Sequence, residues 1–154
     1  MGPGEASHAG ELNVTSDITV SANFMAYTDL ENWRNAHFGT YDDLGVAANT
    51  SDADQDGLAN LVEYATGLDP NDSSDSCAMM IRHSLTNVGE LEVTFNRIAD
   101  SNLTYTLSSS DDLTPGSWSS IWTGTGTSAG TVTVPESAWP NSESQHFFRL
   151  EVSY

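Results

Sequence analysis

The pattern of apolar and polar positions divides the chain into four successive regions. Residues 1–10, MGPGEASHAG, are small and polar and are typical of an expression leader. Residues 11–26 alternate apolar and polar side chains on either side of a Thr-Ser-Asp turn, which predicts a pair of short strands. Residues 27–76 have the spacing of helices, and residues 77–154 return to alternation.

Two helices are predicted within residues 27–76. A capping box at Thr28 and Glu31 begins the first helix, and Gly39 ends it. The second helix ends at Gly67 and carries an apolar stripe at offsets of three, four and seven: Leu58, Leu61, Val62 and Ala65. Because helices this short do not persist alone in water, we expect them to pack on each other and on the β region.

The β region contains several short alternating runs separated by clusters of Ser, Gly, Asp and Pro. The clearest runs place one set of apolar side chains on one face: Leu91, Val93 and Phe95, then Leu103, Tyr105 and Leu107. Runs of this length and spacing are typical of two packed antiparallel sheets. The predicted fold class is therefore mainly β, an antiparallel β-sandwich with a short two-helix segment.

One motif stands between the two predicted helices, in the stretch DADQDGLANLVE. Counted from its first residue, side-chain oxygens fall at positions 1 (Asp52), 3 (Asp54), 5 (Asp56), 9 (Asn60) and 12 (Glu63). Gly57 stands at position 6, and the backbone carbonyl of Leu58 is available at position 7. This is the complete pattern of a single EF-hand-like calcium loop.

The repulsion among the carboxylates of this loop predicts that it binds a cation. Two carboxylates ~5 Å apart repel each other by roughly 3 kcal/mol at an effective dielectric near 20. Four carboxylates in one loop would hold it open unless a divalent ion bound them, and Ca²⁺ accepts six or more flexible oxygens where Mg²⁺ retains its waters. Calcium sensors use paired loops, whereas one loop in a β-rich chain favours a permanent structural clip.

The charge balance limits the partners. The chain has 22 acidic residues, four Arg and no Lys, for a formal net charge of −18. This charge would be repelled by nucleic acids and anionic membranes, so we predict neither nucleic-acid binding nor membrane insertion. Cys77 is the single cysteine, which excludes an internal disulfide, and its apolar neighbours predict a small buried side chain.

Several stretches resemble a C-terminal module of large secreted proteins from Verrucomicrobia, Planctomycetes and related marine bacteria. The similar stretches are Trp33-Arg34, His37-Phe38-Gly39, DADQDGLANLVEYATGLDP, YTLSSSDDLTPGSW and FFRLEV. The loop is also similar to the calcium repeats of dockerins and thrombospondin type 3 domains, and residues 11–24 resemble the last strands of extracellular β-repeat domains. The resemblance implies calcium ligation by the loop residues and a bacterial secreted or cell-surface location.

The sequence leaves two functional interpretations open. No G-x-S-x-G, H-E-x-x-H or glycine-rich phosphate loop is present, so we predict that the chain is not an enzyme. The first interpretation is that the chain is a monomeric Ca²⁺-stabilised accessory module whose partners are the upstream domains of a larger secreted protein. The alternative is a carbohydrate-binding module that contacts a polysaccharide through exposed rings at Trp122 and Trp139. Trp118, four residues before Trp122 and hence on the same strand face, is predicted to be buried.

Overall fold

The computed structural model describes residues 25–139 and 145–154. The strand pair predicted at 11–26 therefore lies, apart from its last two residues, outside the described part of the chain. Two α-helices come first, and six strands follow them. The elements are α1 (Asp29–Phe38), α2 (Asn60–Thr66), β1 (Met80–His83), β2 (Leu91–Arg97), β3 (Asp100–Ser110), β4 (Ser119–Gly126), β5 (Gly130–Pro135) and β6 (Phe147–Ser153).

The strands form two three-stranded antiparallel sheets. Sheet A has the order β1-β2-β5 and sheet B has the order β4-β3-β6, so β2 and β3 are the central strands. Each central strand pairs with one adjacent strand in the sequence and with one distant strand: Val93 lies opposite Val134, and Tyr105 lies opposite Val152. The prediction of a mainly β chain with two helices is confirmed at this level.

The inward faces of the two sheets meet in one hydrophobic cluster. Val93 and Phe95 contribute from sheet A, and Leu103, Tyr105 and Leu107 contribute from sheet B. The last three have no exposed surface, as their alternation predicted. Phe95 and Tyr105 stack across the cluster with ring centroids 6.2 Å apart. At ~25 cal/mol per Å² of buried apolar surface, such side chains contribute a few kcal/mol each.

Helix α1 begins and ends as predicted. The Thr28 N–H donates to Glu31 Oε2 at 2.7 Å, and the Glu31 N–H donates to Thr28 Oγ1 at 3.2 Å, which completes the capping box. The helix ends at Gly39. The Trp33 ring contacts the Tyr64 ring of α2 edge to face, with centroids 5.4 Å apart. The two helices therefore pack together, as expected.

The predicted apolar stripe of the second helix is wrong in part. Helix α2 begins at Asn60, so Leu58 precedes it, and the Leu58 N–H donates to Asp56 Oδ1 instead of to a helical carbonyl. Leu61 and Val62 are half-buried. The buried face consists of Asn60, Glu63, Tyr64, Ala65 and Thr66. Polar groups thus occupy much of the face that periodicity assigned to apolar residues.

Helix α2 is fastened to sheet B through hydrogen bonds of buried groups. The Tyr105 hydroxyl donates to the Ala65 carbonyl at 2.8 Å, and that carbonyl also accepts the Ile98 N–H at 3.1 Å. The Tyr64 hydroxyl donates to Asp100 Oδ2 at 2.6 Å. Burial, followed by the Asp100 carboxylate, raises the pKa of Tyr64 well above its usual value, so the hydroxyl remains a donor.

The sequence pattern did not predict strand β1, and the prediction for the neighbouring cysteine is wrong. Met80 and Ile81 of β1 are each about half exposed, and β1 is an edge strand that has no neighbour on its outer side among the described strands. Cys77 precedes this strand and is exposed, although its apolar neighbours predicted burial. Those neighbours do not enclose it.

Candidate metal centre

The three aspartates of the loop lie together. One carboxylate oxygen each from Asp52, Asp54 and Asp56 falls within 4.8 Å of the others, a group that could hold a metal ion. The loop backbone fixes the acids in place. The Gly57 N–H donates to Asp52 Oδ2 at 2.9 Å, and the Leu58 N–H donates to Asp56 Oδ1 at 2.7 Å. The Asp56 N–H in addition donates to Asp52 Oδ1 and to Asp54 Oδ1, each at 3.2 Å.

The backbone of the loop bends where the motif places its glycine. Gly57 has φ 99°, a conformation that side chains with a Cβ adopt only with strain. Gln55 is also left-handed, with φ 66°, which is uncommon for a residue other than glycine. These two turns bring the alternate aspartates to one side of the chain.

Glu63 is fully buried beside this group. It has no exposed surface, and neither of its carboxylate oxygens accepts a hydrogen bond among the described residues. Burial, followed by the negative charges of Asp54, Asp56 and Asp52, raises the pKa of Glu63 to about 7. Its oxygens lie outside the 4.8 Å group, but the negative charges of the aspartates contribute to its raised pKa.

Asn60 is held with its side-chain carbonyl free. Its Nδ2 donates to the Val46 carbonyl at 2.7 Å and to the Ala48 carbonyl at 2.9 Å, which fixes the orientation of the amide. The opposite atom, Oδ1, is buried and has no partner among the described residues. Asn60 therefore anchors the segment before the loop, a role that the motif alone did not indicate.

Unpartnered oxygens concentrate at this one place. Of the eight buried side-chain N and O atoms without a hydrogen bond in the described part of the chain, five belong to the predicted loop ligands: Asp54 Oδ2, Asp56 Oδ2, Asn60 Oδ1, Glu63 Oε1 and Glu63 Oε2. Buried polar atoms in proteins nearly always have partners, and each exception needs an explanation. All five are acceptors, and two of them belong to aspartates of the group that could hold a metal ion.

The two tryptophans predicted as an exposed binding surface are not exposed. Trp139 is only 5% exposed and packs edge to face on Phe148, with centroids 4.8 Å apart. Trp122 is half-buried and packs edge to face on Phe95 at 5.4 Å. The expectation was wrong because Gly and Pro neighbours mark loops along the chain without showing which rings the sheets cover.

A β-bulge separates Trp118 from Trp122. Trp122 lies opposite Leu107, but Ser120 lies opposite Ser108, so Ile121 is an extra residue in β4. The extra residue reverses the alternation, and the prediction that Trp118 shares a face with Trp122 is wrong. Trp118 is also only half-buried and lies under the Arg149 guanidinium, 4.6 Å from the ring centroid.

Comparisons of this chain with models of known protein families, with curated proteins and with solved structures find no match. Among the described residues, neither helix has the length and apolar character needed to cross a bilayer.

Proposed function

We propose that this chain is a non-catalytic, Ca²⁺-stabilised accessory module of a larger secreted or surface protein of a bacterium. In this proposal, Asp52, Asp54, Asp56, Asn60, Glu63 and the Leu58 carbonyl form a single EF-hand-like calcium site. The observation that carries the proposal is the set of five buried loop oxygens without partners. The partners would be the upstream domains of the parent protein, and the module itself would be monomeric.

The chemistry of the site favours calcium over other cations. Every candidate ligand atom is an oxygen, and four of the residues are carboxylates, a set that suits a hard divalent cation. The pattern offers six or seven oxygens from a flexible loop, which matches the coordination of Ca²⁺. Mg²⁺ requires a stricter octahedron and retains more water.

The ion would stabilise one folded domain by holding the loop and helix α2 together. We propose that the two sheets form a β-sandwich, since side chains of both belong to one hydrophobic cluster. Helix α2, which carries Asn60 and Glu63, is bonded to that body through Tyr64 and through the Ala65 carbonyl. A sensor needs a helix that swings away to expose a groove. These fastenings favour a structural role instead.

A calorimetric titration tests the proposal. Protein treated with EDTA should bind one Ca²⁺ per chain, and the metal-bound form should melt several degrees higher. Ligand at ~100 times its dissociation constant adds about 2.7 kcal/mol of stability. Asp56→Ala should abolish both effects. If the wild-type protein gives no binding heat and melts identically in Ca²⁺ and EDTA, the calcium proposal is wrong.

The carbohydrate alternative loses its basis, because exposed rings were its distinguishing feature. Trp139 is buried, and Trp122 has one side against Phe95. Affinity electrophoresis against neutral and anionic polysaccharides should show no retardation. Retardation that is lost in Trp122→Ala, in a variant that still folds, would restore the alternative.

A further inference from the structure

Arg34 is a buried cation in a strongly acidic chain. It lies on helix α1 one turn after Leu30, and only 5% of it is exposed. A buried guanidinium is retained only where acceptors surround it. Two of its nitrogens have such acceptors, and all of these belong to the segment that leads into the metal loop.

The contacts of Arg34 fix this leading segment. Its Nη2 donates to Asn49 Oδ1 at 2.6 Å and lies 3.7 Å from Asp43 Oδ2, while Nη1 donates to the Tyr41 carbonyl at 3.5 Å. Asp43 in turn accepts the Asn49 N–H through Oδ1 at 2.6 Å. Asn49 is therefore held by both its side chain and its backbone.

The same segment holds the first turn of α2. The Leu61 N–H donates to the Asn49 carbonyl at 3.1 Å, and the Asn60 N–H donates to the Ser51 carbonyl at 2.8 Å. These bonds satisfy helix-terminal N–H groups that have no partner within the helix. They also fix Asn60 and Glu63 relative to the residues that precede Asp52.

We propose that Arg34 is a positioning residue for the calcium site, so that calcium binding and the docking of helix α1 are coupled. This inference rests on the proposed calcium function. Arg34 touches no proposed ligand. It acts through Asn49, which keeps the beginning of the loop and the beginning of α2 in register before the ion binds. Residues that hydrogen-bond metal ligands change metal affinity by 10- to 100-fold when they are replaced, and Arg34 acts one contact further from the ligands, so we expect the lower end of this range.

The test compares Ca²⁺ affinity in four forms of the full chain after EDTA treatment: wild type, Arg34→Gln, Arg34→Lys and Arg82→Gln. We expect Arg34→Gln to raise the Kd for Ca²⁺ about tenfold. Lysine retains the charge and some donors but not the planar fork, so Arg34→Lys should fall between Arg34→Gln and wild type. Arg82 is the matched control, since its Nε donates at 2.7 Å to Glu92, a buried carboxylate of sheet A. Arg82→Gln should lower the melting temperature and leave the Kd unchanged.

A spectroscopic measurement separates positioning from general destabilisation. Terbium luminescence lifetimes in H₂O and D₂O count the waters on a bound ion, and Arg34→Gln should hold about one more water than wild type because its ligands are less well ordered. Asn49→Ala removes the acceptor and serves as a second variant, with the same expected result, if Arg34→Gln does not fold. Equal Kd values and water counts in the variants and wild type would overturn the inference. Absence of Ca²⁺ binding by wild type would instead overturn the proposed function.

Discussion

The inner face of sheet B and the start of helix α2, beside the aspartate loop, both contain fully buried side chains, but their polar atoms differ in how they are satisfied. In sheet B, Leu103 and Leu107 are fully covered, and the buried hydroxyl of Tyr105 has an acceptor, although that of Ser109 has no partner among the described residues. In the loop region, Glu63 and Asn60 are covered just as completely, and their side-chain oxygens have no partner in the described part of the chain. Burial stabilises the first group and destabilises the second.

Burial alone therefore does not show whether a group stabilises the folded protein. The interior of the sheets is mainly apolar and needs no bound ion. The loop region has a built-in deficit that a cation would remove, so its contribution depends on conditions. We therefore expect perturbations of the sheets to act equally with and without Ca²⁺, and perturbations of the loop to act differently in the two states.

The largest effect is expected in the sheets. Leu107→Ala should lower the free energy of unfolding by about 3–4 kcal/mol, because it leaves a cavity in the shared hydrophobic cluster. Denaturant unfolding should give the same loss in Ca²⁺ and in EDTA. Val88→Ala is the control, since Val88 is fully exposed and its truncation should change almost nothing. A loss that disappears in Ca²⁺ would contradict the independence of the two regions.

Glu63→Gln should weaken Ca²⁺ binding and stabilise the metal-free protein. The Kd for Ca²⁺ should rise on the order of 100-fold, because ligand charge largely sets affinity in such loops. The metal-free variant should nevertheless melt higher than metal-free wild type at neutral pH, because a buried charge has been removed. Calorimetry and thermal melting measure the two effects.

A matched control for this substitution is Glu92→Gln. Glu92 is similarly buried but is paired with Arg82. Its replacement should destabilise the protein in both Ca²⁺ and EDTA and leave the Kd unchanged. A lower melting temperature for metal-free Glu63→Gln would show that the Glu63 carboxylate already has a partner.

The stability of the metal-free protein should fall as the pH rises. The folded-state pKa of Glu63, about 7, lies above the ordinary value of 4.5, so between these values the folded protein binds more protons than the unfolded chain. Stability from this group is therefore fully present below about pH 4.5 and is lost as the pH passes 7. Between pH 5.5 and pH 7.5 the loss should be about 2 kcal/mol.

Melting in EDTA across this range measures the loss. Ca²⁺ binds the ionised form, so its addition should stabilise the protein more at pH 7.5 than at pH 5.5. Glu63→Gln is the control that should flatten the metal-free profile. A wild-type profile in EDTA that rises steadily from pH 5.5 to 7.5 would contradict the assignment to Glu63.

The smallest effect is expected where the two regions join. Tyr105→Phe removes the hydrogen bond to the Ala65 carbonyl and should cost about 1 kcal/mol, since that carbonyl retains the Ile98 N–H. Tyr27→Phe, at a half-exposed ring, is the control and should be neutral. Hydrogen exchange should show the change first in α2. A cost of several kcal/mol would mean that the junction carries more of the fold than its contacts indicate.

Local features of this chain could be predicted from its sequence. The capping box at Thr28 and the inward face of β3 follow from contacts within a few residues, where spacing determines geometry. The aspartates of the loop are close in sequence and therefore close in space. A prediction from pattern succeeds where the interaction partners lie within one element.

The remaining features depend on partners distant in sequence. Arg34 meets Asn49 fifteen positions later, and Trp139 is covered by Phe148 of another strand. The bulge at Ile121 changes the face of β4 through its pairing with β3, which no periodicity within β4 reveals. One signal was available in the sequence: an arginine four residues after Leu30 on a helix, in a chain with only four basic residues, indicates a specific acidic or carbonyl partner.

The proposed ligands come from one stretch of twelve residues, 52–63, and this contiguity bears on the order of folding. Sheet B cannot be completed until β6 arrives, because Val152 pairs with Tyr105 across nearly fifty residues. Contacts between near neighbours form faster than contacts between distant ones. The loop also precedes the six described strands as the chain is synthesised. We expect the availability of Ca²⁺ to decide which half of the molecule becomes ordered first: the loop and its helices where the ion is present, the sheets where it is absent.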